Sequence, residues 1–141
     1  MTDEPTRTIN GEGNIYYHLN GGLHREDGPA MEWADGSKVW CLNGNLHREN
    51  DLPAVENIDG RKRWYLNGVQ HRTDGPADEK PDGTKEWMLN GKYHREDGPA
   101  IERPNGYKGW YLNGKLVQME DVIQDVKARF LWRMKLEVPN D

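Results

Sequence analysis

The chain has 141 residues, enough for one domain, with a net charge of −5 and a single cysteine. The acidic balance excludes generic binding to nucleic acid or to anionic membranes, because both require a basic surface. One cysteine cannot form an internal disulfide, so the composition favours a reducing, intracellular setting.

Residues 1–13 are polar and contain Gly11 and Gly13, and they predict either a flexible N-terminal arm or a weak hairpin. The acidic start is not typical of a signal peptide, and no apolar stretch of the sequence approaches the length of a membrane span. We therefore expect a cytoplasmic protein.

A Leu-Asn-Gly phrase repeats through residues 14–115. Its copies begin at positions 19, 42, 66, 89 and 112, at intervals of 23, 24, 23 and 23 residues. The first four are each followed by a His-Arg pair, by Asp-Gly-Pro-Ala or a variant of it, and by a second Asp-Gly or Asn-Gly step. A fixed period of this length predicts a repeat array. Only 34% of the residues are hydrophobic, but six Trp and six Tyr fit a stack with a thin aromatic core.

The second unit shows the strands that we expect in each repeat. Residues 39–42 are strand formers, and Asn43-Gly44 is a strong signal for a type I′ hairpin turn. Residues 45–48 form the predicted returning strand, and residues 54–58 a further one. The pattern predicts an all-β array, an antiparallel meander of about five hairpin units. An aromatic residue two positions before each Leu shares its face of the strand, so we expect a Trp-Leu ladder as the core.

The Asp-Gly steps have an expected backbone role, because glycine accepts a positive φ without a Cβ clash. The second unit departs from this pattern, since Asn50 is inserted and Leu52 replaces the glycine before proline. We expect an altered loop or a bulge at this point of the array.

Residues 116–141 do not continue the repeat and predict a C-terminal cap, with a docking element for a partner as the alternative. Residues at helical spacing predict a helix at the start of this segment: Met119, Val122, Ile123, Val126 and Phe130. From Trp132 to Val138 apolar and charged residues alternate as in a strand, although a helix continued through Met134 fits nearly as well.

The unit at residues 64–83 resembles the MORN repeat. It contains Trp-Tyr-Leu-Asn-Gly, then His71-Arg72, an Asp-Gly-Pro step and a closing Asp82-Gly83 turn. The sequence His-Arg-Glu-Asp-Gly-Pro-Ala, where MORN repeats usually have His-Gly-x-Gly, is similar to the variant in small bacterial and bacteriophage proteins. The resemblance implies a β-hairpin scaffold in a bacterial host cell, and relatives of this type include presumed antitoxins. A likeness to choline-binding hairpins is weaker, because their period is shorter.

The recurring His-Arg-x-Asp pattern has three possible interpretations. Its side chains can hydrogen-bond the turns and neighbouring repeats, bind an anion, or form a metal or catalytic site. The structural interpretation, hydrogen bonding to turns and neighbouring repeats, is favoured because all four copies are alike, whereas an active site needs one distinct copy. We assign no catalytic residue, metal or cofactor. The candidates for an anion-binding row are Arg25, Arg48, Arg72 and Arg95.

Partner-binding candidates lie where the repetition fails. Trp33 has no aromatic counterpart in the other units, and an exposed Trp beside an irregular repeat is a typical interface hot spot. The full set of candidates is Trp33, Asn50, Leu52, Phe130 and Trp132.

We expect a non-enzymatic protein-binding module, monomeric or homodimeric, that acts as a phage or bacterial inhibitor. An anti-defence protein or an antitoxin that blocks a basic site on a partner protein fits the negative charge. The alternative is a small-ligand binder that sequesters an anionic signalling molecule or reads carbohydrate or choline.

Overall fold

The computed structural model describes residues 4–124, 129–131 and 133. In this part of the chain nearly all regular structure is short β-strand, and no helix is both long and apolar enough to cross a membrane. The strands are β1 (Thr6–Ile9), β2 (Ile15–Leu19), β3 (Gly22–Leu23), β4 (Met31–Glu32), β5 (Lys38–Val39), β6 (Cys41–Leu42), β7 (Asn45–Leu46), β8 (Val55–Glu56), β9 (Lys62–Arg63), β10 (Tyr65–Leu66), β11 (Val69–Gln70), β12 (Asp78–Glu79), β13 (Lys85–Glu86), β14 (Met88–Leu89), β15 (Lys92–Tyr93), β16 (Ile101–Glu102), β17 (Lys108–Gly109), β18 (Tyr111–Leu112) and β19 (Lys115–Leu116). One helix, α1 (Met119–Val122), follows them.

The strands form one long antiparallel sheet and four separate hairpins. The sheet has the order β1-β2-β4-β5-β8-β9-β12-β13-β16-β17, with β3 paired to β2. The hairpins are β6-β7, β10-β11, β14-β15 and β18-β19. The predicted all-β hairpin meander is confirmed. Residues 6–9 pair with β2, so part of the N-terminal segment is a hairpin strand.

Each Asn-Gly turn has the backbone of a type I′ turn. The five Asn residues have φ between 49° and 52°, and the glycines that follow them have φ between 79° and 82°. Asn tolerates this left-handed conformation better than most residues, and Gly adopts it without strain. The five hairpin turns expected from the sequence are therefore present.

The turns also join neighbouring units. In the second unit the Asn43 N–H donates to His24 Nδ1 at 2.9 Å, and the Gly44 N–H donates to the Leu23 carbonyl at 2.8 Å. The same two bonds recur at the next three turns. Four of the five turns are thus anchored to the preceding hairpin, which fixes the stacking of the units.

The predicted Trp-Leu core is wrong in its Leu half. Leu66 is exposed, and Leu19, Leu42, Leu89 and Leu112 are half-buried, because each lies directly before a turn at the edge of the array. The fully buried apolar column is formed by Ala30, Ala54, Ala77 and Ala100. In each of the first four units the backbone N–H of the aromatic residue donates to the carbonyl of one of these alanines, at 2.7–2.8 Å.

The strand expected at residues 39–42 is interrupted at Trp40. Residues 38–39 belong to the long sheet, and residues 41–42 belong to the β6-β7 hairpin. Trp40 lies between them: its N–H donates to Ala54 and its carbonyl accepts from His47. In the second to fifth units the chain changes partners at the aromatic residue, which limits the strands on either side of it to two residues, whereas β2 of the first unit runs through Tyr17 without a break.

Two rows of side chains cross the long sheet. The first, which we call the Glu–Lys row, alternates in charge from strand to strand: Glu32, Lys38, Glu56, Lys62, Glu79, Lys85, Glu102 and Lys108. Opposite charges directly across neighbouring strands stabilise a sheet. The second row lies under a cleft that is described below, and we call it the cleft row. Its residues are Tyr16, Met31, Val39, Val55, Arg63, Asp78, Glu86, Ile101 and Gly109.

A short helical cap follows the array, as the sequence predicts, but its helix is interrupted. Helix α1 has a capping box between Gln118 and Asp121, and Met119 and Ile123 pack against Trp110. Helical backbone resumes at residues 129–131 and 133, so a single helix through residues 119–130 is wrong. The Arg129 guanidinium donates to the carbonyls of Ile123 and Gln124. The strand-or-helix alternative at 132–138 lies largely outside the described residues.

The alanine column predicts a sharp difference between two identical substitutions. Ala77 is fully buried, whereas Ala34 is exposed. We expect Ala77→Leu to lower the free energy of unfolding by about 1–3 kcal/mol through overpacking, and Ala34→Leu to change it by less than about 0.5 kcal/mol. Urea unfolding followed by Trp fluorescence measures both. Equal effects at the two positions would contradict the proposed core.

Candidate partner-binding surfaces

An arginine covers an aromatic ring in each of the first four units. The Arg Cζ atoms lie 3.6–4.0 Å from the ring centroids, in the pairs Arg25–Tyr17, Arg48–Trp40, Arg72–Trp64 and Arg95–Trp87. Each guanidinium also donates to the carbonyl of the following proline at 3.0–3.2 Å and lies 3.1–3.8 Å from a glutamate of the Glu–Lys row. The arginines therefore act as a lid over the rings, and their anion-binding role stays a prediction.

This arginine lid explains the glycine of the Asp-Gly-Pro step. A Cβ at Gly28 would lie 2.8 Å from Arg25 Cζ, and one at Gly98 would lie 2.7 Å from Arg95 Cζ. The expected positive φ occurs at Gly36, Gly60, Gly83 and Gly106 of the second turns. At the glycine before proline the guanidinium instead approaches so closely that a Cβ would displace the arginine side chain. The second unit, with its inserted residue, has Leu52 at this position and keeps Arg48 over Trp40.

The histidines of the four His-Arg-x-Asp copies have a structural role; they are His24, His47, His71 and His94. Each accepts a hydrogen bond at Nδ1 from the Asn N–H of the next turn, at 2.9–3.0 Å. An Nδ1 atom that accepts carries no proton, so a neutral ring has its hydrogen on Nε2. Three Nε2 atoms lie 3.4–3.7 Å from a glutamate carboxylate. These hydrogen bonds to the backbone of the turns agree with the structural interpretation of the His-Arg-x-Asp pattern.

Removing one histidine ring should loosen one turn. In His71→Ala the Asn90 N–H loses its acceptor, and we expect a loss of about 1 kcal/mol and faster amide exchange at Asn90. His71→Asn restores a side-chain acceptor and should recover part of both. Similar effects are expected for His47 and His94. A much larger loss at one histidine alone would instead identify that residue as functionally distinct.

The irregular loop of the second unit is confirmed. Asn50 and Asp51 are consecutive left-handed residues, with φ of 63° and 57°. The Asp51 carbonyl accepts from Trp64 Nε1 at 3.1 Å, and its carboxylate receives two bonds from Arg72, at 2.7 and 3.1 Å. In the first and fourth units, by contrast, Arg25 and Arg95 bind the aspartate two residues ahead. The insertion therefore moves one Arg–Asp pair across the boundary between two units.

The Asp51–Arg72 pair makes stability depend on pH. Hydrogen bonds from Arg72 lower the pKa of Asp51 below its ordinary value of about 3.9. The stabilisation is thus present above that value and is lost as the pH falls through the lower folded pKa. Since the carboxylate is partly exposed, we expect wild type to exceed Asp51→Asn by at most about 1 kcal/mol at pH 6.

The measurement is the difference in unfolding free energy between wild type and Asp51→Asn at several values between pH 3 and pH 7. The difference should shrink below about pH 4. A difference that stays constant across this range would show that the charge of Asp51 contributes nothing.

A cleft of about 500 Å³, which we call the sheet cleft, lies over the first half of the cleft row. Met31, Val39 and Val55 line it together with Leu46. Trp33, 43% exposed, and Ile58, 67% exposed, also line it, with the carboxylates of Asp35 and Asp59. Large exposed apolar side chains that share a concave surface with charges are characteristic of protein-binding sites.

The other sequence candidates lie elsewhere. Asn50 lines a second cleft of about 490 Å³, the loop cleft, which shares no lining residue with the sheet cleft. Leu52 is exposed beside it but does not line either cleft. Phe130 is exposed on the C-terminal helical residues, and Trp132 lies outside the described part of the chain. Of the candidates in the described part of the chain, Trp33 and Asn50 thus line different clefts, and the partner-binding role of all five stays a prediction.

The third and fourth units place charges in the cleft row, with Asp78 in the third and Glu86 in the fourth. Asp78 is buried and receives two bonds from Arg61, at 3.0 and 2.7 Å. This pairing raises the pKa of the Arg61 guanidinium. Glu86 lies 3.0 Å from Lys80 Nζ. Burial, followed by the charge of Glu86, raises the pKa of Tyr93, whose hydroxyl donates to that carboxylate.

The nucleophiles of the sequence are used in packing. Cys41 is buried, and burial raises the pKa of its thiol, which lowers its reactivity. Ser37 is the one serine of the chain, and its Oγ accepts from the Ile58 N–H at 2.9 Å. Within the described residues no group of three or more His, Cys, Asp or Glu could hold a metal ion.

Comparison with known proteins does not assign this chain to a family. No protein-family model matches it, and no curated protein matches it. The fold and the surfaces described above are therefore the basis for a functional proposal.

Sequence reasoning missed Ile58 and the charged part of the cleft row. A position-by-position comparison of the repeats contains the signal. The residue after the buried alanine is Met31, Val55, Asp78 or Ile101, while the next residue is always Glu. A position that varies in chemistry inside an otherwise constant repeat marks a surface that the scaffold does not determine.

Proposed function

We propose that this protein is a non-enzymatic protein-binding module of phage or bacterial origin, which acts in the bacterial cytoplasm as an anti-defence inhibitor or an antitoxin. The observation that carries the proposal is the sheet cleft. Its exposed Trp33 and Ile58 lie beside the carboxylates of Asp35 and Asp59. A large ring and an aliphatic side chain give contact area, and the carboxylates favour a basic partner.

Two further features support the proposal. The net charge of −5 steers the chain toward basic surfaces and away from nucleic acid and anionic lipid. The resemblance to the MORN-like variant of small bacterial and bacteriophage proteins implies a binding scaffold, and the antitoxin and anti-defence roles rest on that resemblance. The histidine and arginine side chains of all four His-Arg-x-Asp copies already hydrogen-bond the backbone, which leaves them in structural use.

The test is capture of a partner from bacterial lysate by tagged full-length protein, with identification by mass spectrometry. The bait Trp33→Ala/Ile58→Ser should lose most of the partner. The control bait Tyr107→Ala/Leu116→Ser removes side chains of matched exposure, 42% and 69%, from outside the cleft and should retain it. The captured protein should carry a basic surface, and its activity should fall when the module is added at equal concentration.

Retention of the same partner by both double variants would place the interface elsewhere. If no protein is retained at micromolar bait, or if the retained protein keeps its full activity in the complex, the inhibitor proposal fails. Circular dichroism and thermal unfolding of every bait confirm that lost binding is not lost folding.

A further inference from the structure

The cleft row contains one cation that the fold does not use. Arg63 occupies the position that Val39 has one unit earlier, and its Cα pairs with that of Val55 on one side and of Asp78 on the other. Arg63 Nε is buried and has no hydrogen-bond partner anywhere in the described part of the chain. An unsatisfied buried polar group of this kind costs stability, so its presence calls for a reason.

The nearby carboxylates do not neutralise Arg63. Asp78 is bound by Arg61 through both oxygens, and Glu86 is bound by Lys80. Each of these carboxylates therefore has its own cation from a neighbouring turn or strand end. The Arg63 guanidinium remains as the extra positive charge of the row.

Arg63 also lines the sheet cleft, and it comes from the last of the four strands that form its floor. Met31, Val39 and Val55 are the apolar residues of the floor before it. Three strand spacings separate Met31 from Arg63, which is about 14 Å. An extended peptide covers that distance with about four or five residues.

The charges around this floor are complementary to a particular kind of peptide. Asp35 and Asp59 are exposed in the turns that follow β4 and β8, and each uses one carboxylate oxygen to accept a backbone N–H of its own turn. Within the described residues, the second carboxylate oxygen of each accepts no backbone N–H. The cleft therefore offers a cation at its end, an apolar floor, and anions along its side.

We propose that the sheet cleft binds an extended segment of the partner protein in which a carboxylate meets Arg63, a neighbouring apolar side chain rests on Val39 and Val55, and a Lys or Arg meets Asp35 or Asp59. The inference rests on the proposed protein-binding function and deepens it. It states that the partner is basic around the interface but presents one acidic residue at the contact. The carboxylate supplies a counter-charge to the Arg63 guanidinium, which binds no carboxylate within the described part of the chain.

A displayed library of random nine-residue peptides, selected on the immobilised full-length protein, tests this directly. The selected peptides should share an acidic residue within four positions of an apolar one, with a basic residue nearby. The best peptide is then labelled, and its affinity is measured by fluorescence polarisation. Arg63→Gln should weaken it by about tenfold or more, as expected for a lost charge-assisted hydrogen bond.

Lys62→Gln is the matched control. Lys62 is the preceding residue of β9, it is exposed, and it belongs to the Glu–Lys row, so its removal deletes one positive charge away from the cleft. We expect less than about a twofold change, because exposed charges are screened by salt. Arg63→Glu should regain affinity for a peptide whose acidic residue is changed to Lys. The Tm of Arg63→Gln should equal or exceed that of wild type, since the fold loses only an unpaired group.

Three results would overturn the inference: no peptide is selected, the selected peptides lack an acidic residue, or Arg63→Gln and Lys62→Gln weaken binding equally. Weakening of the labelled peptide by millimolar acetate as strongly as by unlabelled peptide would show a simple carboxylate site and would also overturn it. The proposed function survives each of these results if lysate capture still depends on Trp33 and Ile58. If capture does not depend on them either, both proposals fail.

Discussion

The array depends on one contact, the anchoring of the last four Asn-Gly turns to the hairpin before each of them. Both residues of the turn have left-handed backbone, and their N–H groups donate to a histidine ring and to a backbone carbonyl of the preceding unit. Few residue pairs adopt this backbone at low cost, and few side chains place an acceptor at the required distance. The repeat of Asn, Gly and His along the chain follows from this contact, and it sets the spacing of the strands in the long sheet.

The second constraint is the thinness of the stack. Strands of two residues cannot bury an aromatic ring in a second layer, so an arginine covers the ring and binds a proline carbonyl and a glutamate at the same time. This cation–π contact shields apolar area with a charged side chain. It explains how a chain with only 34% hydrophobic residues forms an ordered fold. It also accounts for the glycine before proline in the first, third and fourth units, where a Cβ would displace the guanidinium.

Most of the repeated polar residues stabilise the fold, so we expect the functional residues at the positions where the units differ. The second unit has its inserted loop, and Asp51 binds the arginine of the next unit instead of its own. The third and fourth units place Asp78 and Glu86 in the cleft row, each paired with a cation, while Arg63 of the third unit remains without a partner at Nε. Trp33 and Ile58 are exposed over the same row. Of these departures, Trp33, Ile58 and Arg63 line the sheet cleft, whereas Asp51 lines the loop cleft.

The sequence by itself determined the local elements. The period of 23 or 24 residues, the Asn-Gly turns and the irregular second unit were all predictable, because turn chemistry and repetition act over a few residues. Only the tertiary structure decided which face is buried. The Trp-Leu spacing is compatible with a shared core, but the chain changes partners at Trp40, and the buried column is alanine instead. The sheet cleft was hidden for the same reason: Met31, Val39, Val55 and Arg63 become neighbours only through the pairing of four strands. No local pattern records that register, because it is set by contacts between units.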